Sequence, residues 1–105
     1  MTAELLESGI RNSGLDSMFD HVQSTDRVKA CKPDPRAYGM ALDAFGLKRE
    51  KILFAAFAGW DAAGAKSFGY PTFWVNRQNQ LAEELGVTPD AGGITLDDLV
   101  SFVLR

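Results

Sequence analysis

Scarcity narrows this chain before any motif does. Among its 105 residues there is one cysteine and one histidine. A lone Cys31 excludes an internal disulfide and a cysteine-rich metal site, and it fits a reducing compartment, so a cytoplasmic location is the expectation. Basic charge is also short. Eleven Lys and Arg against fourteen Asp and Glu leave a formal net charge of −3. The cations are scattered rather than gathered into a stripe, so neither nucleic acid nor an anionic membrane is an expected partner. Long apolar runs are missing, and the segment Met1 to Ile10 alternates acidic and apolar residues without a basic start, so neither a leader nor a spanning segment is expected. The last absence is chemical: no acidic residue before Lys32 reads as a nucleophile on a buried strand. Asp16, Asp20 and Asp26 fall in turns or at strand ends.

What remains is enough for one small core, since 46% of the residues are hydrophobic. Thr2 to about Arg11 reads as a helix with Leu5, Leu6 and Ile10 on one side, stopped by Asn12-Ser13-Gly14. Phe19 to Ser24 alternates as a strand does. Asp34 followed by Pro35 is a helix start, because the carboxylate accepts from unpaired backbone donors and proline at the first helical position forfeits no hydrogen bond. Tyr38, Ala41, Leu42 and Phe45 continue that helix at its spacing, and Gly46 ends it. Ile52 to Phe57 is apolar on both faces, the pattern of a central parallel strand. Asp61 can cap the following small-residue helix, which Gly69 closes. Thr72 to Val75 is a third strand, and Thr95 with Asp98 forms a capping-box pattern before Leu96, Leu99, Val100 and Val103. Between them, Asn76 to Ile94 is a long loop in which Leu81 to Leu85 could make a helical turn. Alternation of helix and strand with short connections predicts an α/β fold around a parallel sheet of three strands with flanking helices.

Two polar residues follow strands at the same end of such a sheet. Lys32 stands in Lys32-Pro33-Asp34-Pro35, and Asp61 stands in Gly59-Trp60-Asp61 after the apolar run. Taken singly, Lys32 is a solvated loop cation and Asp61 a helix cap. Taken together at matching positions, they make a cation that stabilises a carboxylate nucleophile or its ester, and a carboxylate that orients or deprotonates water. His21 has no convincing catalytic partner and reads as a strand or surface residue. Cys31 reads as a small packed side chain and Trp74 as core. Asn76 and Arg77 end the last strand at the same edge and carry no assigned role.

From Gly14 to Asn76 these residues resemble the haloacid dehalogenase superfamily, and within it the L-2-haloacid dehalogenases most closely. Lys32 looks like the third signature motif and Asp61 like the fourth. Tyr38, six residues after Lys32, is similar to a tyrosine of the dehalogenase active site, and the run from Gly59 to Ala65 with Phe68-Gly69-Tyr70-Pro71-Thr72 is a pattern of that branch. The resemblance implies a Rossmann-like parallel sheet. It implies Lys32 and Asp61 as catalytic groups, Tyr38 and Trp60 as substrate contacts, a small 2-haloacid-like substrate, and no metal or cofactor. In that family a strand-borne aspartate displaces halide, and water then hydrolyses the aspartyl ester to a hydroxy acid.

Against that pattern, residues 1–105 correspond to the carboxyl-terminal half of the core domain, a partial sheet lacking the nucleophile strand and the cap domain. The dehalogenases place a serine and an asparagine shortly before the motif-four aspartate, where this chain has Ala56 and Ala58. Those alanines also disfavour a magnesium-dependent phosphatase, which adds an acid at this point. The expectations are an isolated chain that is inactive and a strand at Ile52 to Phe57 with an unpaired edge. A homo-oligomer or a complementing segment would cover that edge. The alternative is a non-catalytic α/β interaction module derived from the same fold.

Overall fold

The computed structural model describes residues 2–15, 17–24, 32, 34–81 and 86–105. Its contacts fall into two compact units, Met1–Gly46 and Leu47–Arg105. Among the described residues no helix is long and apolar enough to cross a membrane.

In the first unit, α1 spans Ala3–Asn12 and is capped by Thr2, whose side chain accepts from the Leu5 N–H at 3.2 Å. None of its residues is buried. The second helix, α2, spans Pro35–Phe45 and starts as its sequence predicts: Asp34 Oδ1 accepts from the Arg36 N–H at 2.8 Å, with Pro35 in the first turn. Arg36 returns two guanidinium bonds to the same carboxylate, at 3.1 and 2.9 Å. Together these donors hold the Asp34 carboxyl below its usual range. Gly46 ends α2 in the left-handed conformation, φ 63°, donating to the Leu42 carbonyl at 2.9 Å. Ala37, Tyr38 and Met40 are its buried residues.

The strand expected at Phe19 to Ser24 does not form. An alternating pattern needs a neighbour to bond with, and here Phe19 and Val22 stay exposed. His21 lies outside any strand and sets its ring edge-on against Phe45, 4.8 Å between centroids. Cys31 and Pro33 lie outside the described residues, as does most of the expected turn at Leu81 to Leu85.

The second unit holds the sheet. Strand β1 (Phe54–Ala56) leads through α3 (Gly59–Phe68) to β2 (Thr72–Val75), followed by β3 (Ala91–Gly93) and α4 (Leu96–Leu104). All pairings are parallel in the order β1-β2-β3, with Ala56 opposite Trp74 and Trp74 opposite Gly92. Successive residues of a strand face opposite sides, and β2 uses both. Trp74 packs with Ala56 and Ala62 on the α3 side. Phe73 meets the Phe102 ring of α4 at 5.2 Å between centroids on the other. Every residue of β2 is buried, so α3 and α4 sandwich the central strand.

The apolar run from Ile52 to Phe57 forms a strand only at Phe54–Ala56, and its outer edge is unpaired as expected, bonded to β2 alone among the described residues, but the cover expected on both faces is present on one. Leu53, Ala55 and Phe57, which point to the face away from α3, are exposed. The third strand of the sheet is Ala91–Gly93, inside the stretch expected to be a loop. Glycine has low strand propensity, so the signal is absent locally. What requires it is packing, because a Cβ on Gly93 would stand 2.4 Å from Asp98 Cβ. The close approach lets α4 dock against β3 through its capping box, with Asp98 accepting from the Ile94 and Thr95 N–H groups at 2.8 and 3.1 Å.

Candidate active site

The first turn of α3 carries two of the four residues singled out from the sequence. The helix opens at Gly59, so the cap position falls on Ala58 rather than on Asp61, and its methyl group accepts nothing. Gly59 has a steric reason: a Cβ there would lie 3.2 Å from the Trp74 ring. Trp74 in turn donates its indole N–H to the Phe57 carbonyl at 3.0 Å, anchoring the chain as it leaves β1. Asp61 therefore sits inside the first turn, half-buried. Trp60 precedes it with 47% of its surface exposed, a position open to a ligand. Asp61 is thus not the N-cap residue of α3, a position that Ala58 fills.

The other pair belongs to the first unit. Lys32 is exposed, and its Nζ lies 5.8 Å from the centroid of the Tyr38 ring. Side chains of a helix lean toward its N-terminus, which brings Tyr38, in the first turns of α2, back toward a lysine that precedes the Asp34 cap. Tyr38 is 2% exposed. It is both a core residue of its unit and the aromatic neighbour of Lys32, so the packing and contact readings hold together.

At the carboxyl ends of β1 and β2 there is a cavity of about 440 Å³ lined by Phe57, Ala58, Asn76, Arg77, Gln78 and Gln80. This is the end of a parallel sheet at which ligands bind in open α/β folds. Neither Trp60 nor Asp61 lines it, although its Ala58 wall is the cap of their helix. By sequence, Asn76 and Arg77 end a strand at this edge with no assigned role, and Phe57, Gln78 and Gln80 do not stand out as site residues. Their only sequence signal is that they directly follow parallel strands. Ala56, 1% exposed, and half-buried Ala58 put no polar side chain at the end of β1. Among the described residues no group of three or more His, Cys, Asp and Glu is placed to hold a metal ion.

Known proteins share this fold. Residues 2–69 match the family described as haloacid dehalogenase-like hydrolase. The chain is 40% identical over 102 residues to haloacetate dehalogenase H-2 of Moraxella sp. (strain B), covering 97% of this chain and 46% of that protein. It is 46% identical over 85 residues to the (S)-2-haloacid dehalogenase of Pseudomonas sp. (strain YL), covering 81% of this chain and 37% of that protein. Among solved structures, an L-2-haloacid dehalogenase superposes with a TM-score of 0.97 at 41% identity, covering 99% of this chain and 46% of that one. The chain therefore spans about half the length of the relatives it matches. With the family match running through the Lys32 and Asp61 motifs, the chain belongs to the haloacid dehalogenase-like hydrolases.

Proposed function

We propose that this chain supplies the lysine and aspartate half of a 2-haloacid dehalogenase and that it turns over substrate only when a second segment brings a nucleophilic aspartate. The observation that carries this reading is the 40% identity to a haloacetate dehalogenase along 97% of the chain. Its support from geometry is that Asp61 lies in the first turn of α3, just past the carboxyl end of β1, while Lys32 stands beside Tyr38. In the completed site, a carboxylate oxygen of the incoming aspartate attacks C2 of the 2-haloacid and the carbon–halogen bond breaks, the halide leaving with the electron pair. Lys32 stabilises the nucleophile and its ester. Asp61 then takes a proton from water as the oxygen of that water attacks the ester carbonyl; cleavage of the acyl C–O bond releases the 2-hydroxy acid and restores the aspartate. Tyr38 and Trp60 contact the substrate in this scheme.

The free edge of β1 and the exposed Leu53, Ala55 and Phe57 fit an added strand from a complementing segment or a second copy, since an uncovered apolar edge is a template for pairing. The test is halide release from 2-chloropropionate. The chain alone should release none. Co-expression with the amino-terminal half of the Pseudomonas sp. (strain YL) enzyme should restore release, and Asp61→Asn or Lys32→Ala should abolish it again. Release by the chain alone, or a stable complex that releases nothing, would count against the proposal.

A second reading has one observation in its favour. Ala56 and Ala58 stand where the dehalogenase pattern has serine and asparagine, and nothing polar replaces them at the end of β1. The fold would then serve as a non-catalytic interaction module that uses the β1 edge. A specific protein partner whose binding survives Lys32→Ala, together with a silent complemented complex, would favour this reading.

A further inference from the structure

We infer that Trp74 is the positioning residue for Asp61: from the neighbouring strand it fixes the turn that leads from β1 into α3. The inference rests on the reading of Asp61 as the group that works on water, and it gives Trp74 no contact with substrate. Three features of the second unit converge on it.

The first is that the turn has no side-chain anchor at the head of its helix. A helix start is commonly held by a side-chain oxygen that accepts from a backbone donor two or three residues on, as Thr2, Asp34 and Thr95 do in this chain. The α3 start has Ala58 at that position and no side-chain cap bond. Its direction is set instead by contacts made from across the sheet.

The second is how fully Trp74 supplies those contacts. Its indole N–H donates to the Phe57 carbonyl at 3.0 Å. Its six-membered ring closes on Gly59, where a Cβ would stand 3.2 Å from Cζ2 and 3.5 Å from Cη2. The same side chain packs with Ala56 and Ala62. These residues bracket Asp61, with Ala56, Phe57 and Gly59 before it and Ala62 directly after it.

The third is that Trp74 is itself fixed. Strand β2 pairs it with Ala56 on one side and with Gly92 on the other, and every residue of β2 is buried. A buried indole N–H needs an acceptor, so the bond to the Phe57 carbonyl resists breaking. Arg77, two residues past the end of β2, lays its guanidinium carbon 5.1 Å from the centroid of the Phe57 ring. Phe57 is thereby held through both its carbonyl and its ring. A displacement on the order of 1 Å in a catalytic group can cost about 10²-fold in rate, and a tilt of this turn would carry the Asp61 carboxylate with it.

The test is W74F, which keeps a ring and loses the N–H, in the 105-residue chain and in the complemented enzyme. In the chain, hydrogen exchange read by mass spectrometry should quicken about fivefold or more over residues 57–62, the scale of one lost hydrogen bond. Exchange over residues 96–104, in α4, should stay as it was. In the complemented enzyme, hydrolysis of the aspartyl ester should slow by about 10–100-fold. Ester formation should keep its rate, so the acyl group accumulates on the chain that carries the nucleophile. The double variant W74F/D61N should hydrolyse the ester no more slowly than D61N, because Trp74 acts only through Asp61. Unchanged ester hydrolysis, slower ester formation, or a further loss in the double variant overturns the inference. So does exchange that quickens across the whole second unit, the mark of packing alone. If circular dichroism shows W74F unfolded, 3-benzothienylalanine at position 74 keeps the shape of the indole without its N–H, and the same readings decide. Exchange also separates the two claims. If the parent complex forms no ester, the dehalogenase reading fails, and exchange over residues 57–62 decides whether Trp74 orders the Asp61 turn. If the parent complex turns over and W74F matches it, this inference fails and that reading stands.

Discussion

Lys66 Nζ lies 2.7 Å from Asp90 Oδ1, joining the last turn of α3 to the residue that opens β3. The other carboxylate oxygen accepts from the Thr72 N–H at 2.7 Å, and the Asp90 N–H donates to the Thr72 carbonyl at 2.9 Å. One side chain thereby ties α3, β2 and β3 together at the amino ends of the strands, opposite the cavity.

Acid should loosen this tie. The Lys66 hydrogen bond, and after it the Thr72 amide, hold the Asp90 carboxyl below its usual range. A carboxyl with a lowered folded-state pKa contributes stability that is present above its unfolded value, about 3.9, and is lost as pH falls through the folded one. Asp90→Asn should therefore lower the urea midpoint at pH 7 and change it little at pH 2 to 3. Equal losses at both pH values would show that charge is not what holds the junction.

Gly93→Ala should destabilise the second unit by roughly 1–3 kcal/mol, the usual cost of forcing a methyl group into a filled space. The added Cβ would meet Asp98 Cβ at 2.4 Å, so α4 must move or its cap must break. Thermal denaturation of the variant measures the loss. A neutral result would mean that α4 shifts freely on β3.

Thr95→Ala tests the same junction from the helix. Thr95 Oγ1 accepts from the Asp98 N–H at 3.2 Å, and its loss should cost about 1 kcal/mol, as for other caps. Thr95→Ser should restore most of it, read as the urea midpoint.

Activity predictions apply to the complemented protein. Asp61→Asn should lower kcat for halide release from 2-chloropropionate by about 10²–10⁴-fold, the range for loss of a general base. Because Asp61 acts on the water that hydrolyses the ester, the intermediate should still form, and mass spectrometry should find the chain that carries the nucleophile heavier by the acyl group. Tyr38→Phe removes only the hydroxyl from a ring that is 2% exposed. The KM and kcat for halide release should change if the phenol contacts substrate, and unchanged constants would leave Tyr38 a packing residue.

The sequence and the structure agree where the physics is short-ranged. Asp34 with Pro35, Gly46, Gly69 and the Thr95–Asp98 box are visible in the chain because a cap satisfies donors or acceptors a few residues away. The α3 start shows the limit of that logic. Asp61 has the composition of a cap, yet Trp74 packs so closely over Gly59 that the helix opens two residues earlier, with Ala58 at its head. Phe19 to Ser24 shows it again, since alternation describes a face and not a partner.

By itself the sequence determined the α/β class, the helix termini other than the start of α3, the β2 strand and the family to which the Lys32 and Asp61 motifs belong, because each is written in contiguous residues. Tertiary structure alone decided that the β1 face away from α3 stays exposed, that Ala91–Gly93 is a strand, and that Arg77 lies over Phe57. Those are relations between residues some twenty apart in the chain. Their energies come from side chains and backbones that meet only after the sheet has formed, so no local pattern announces them.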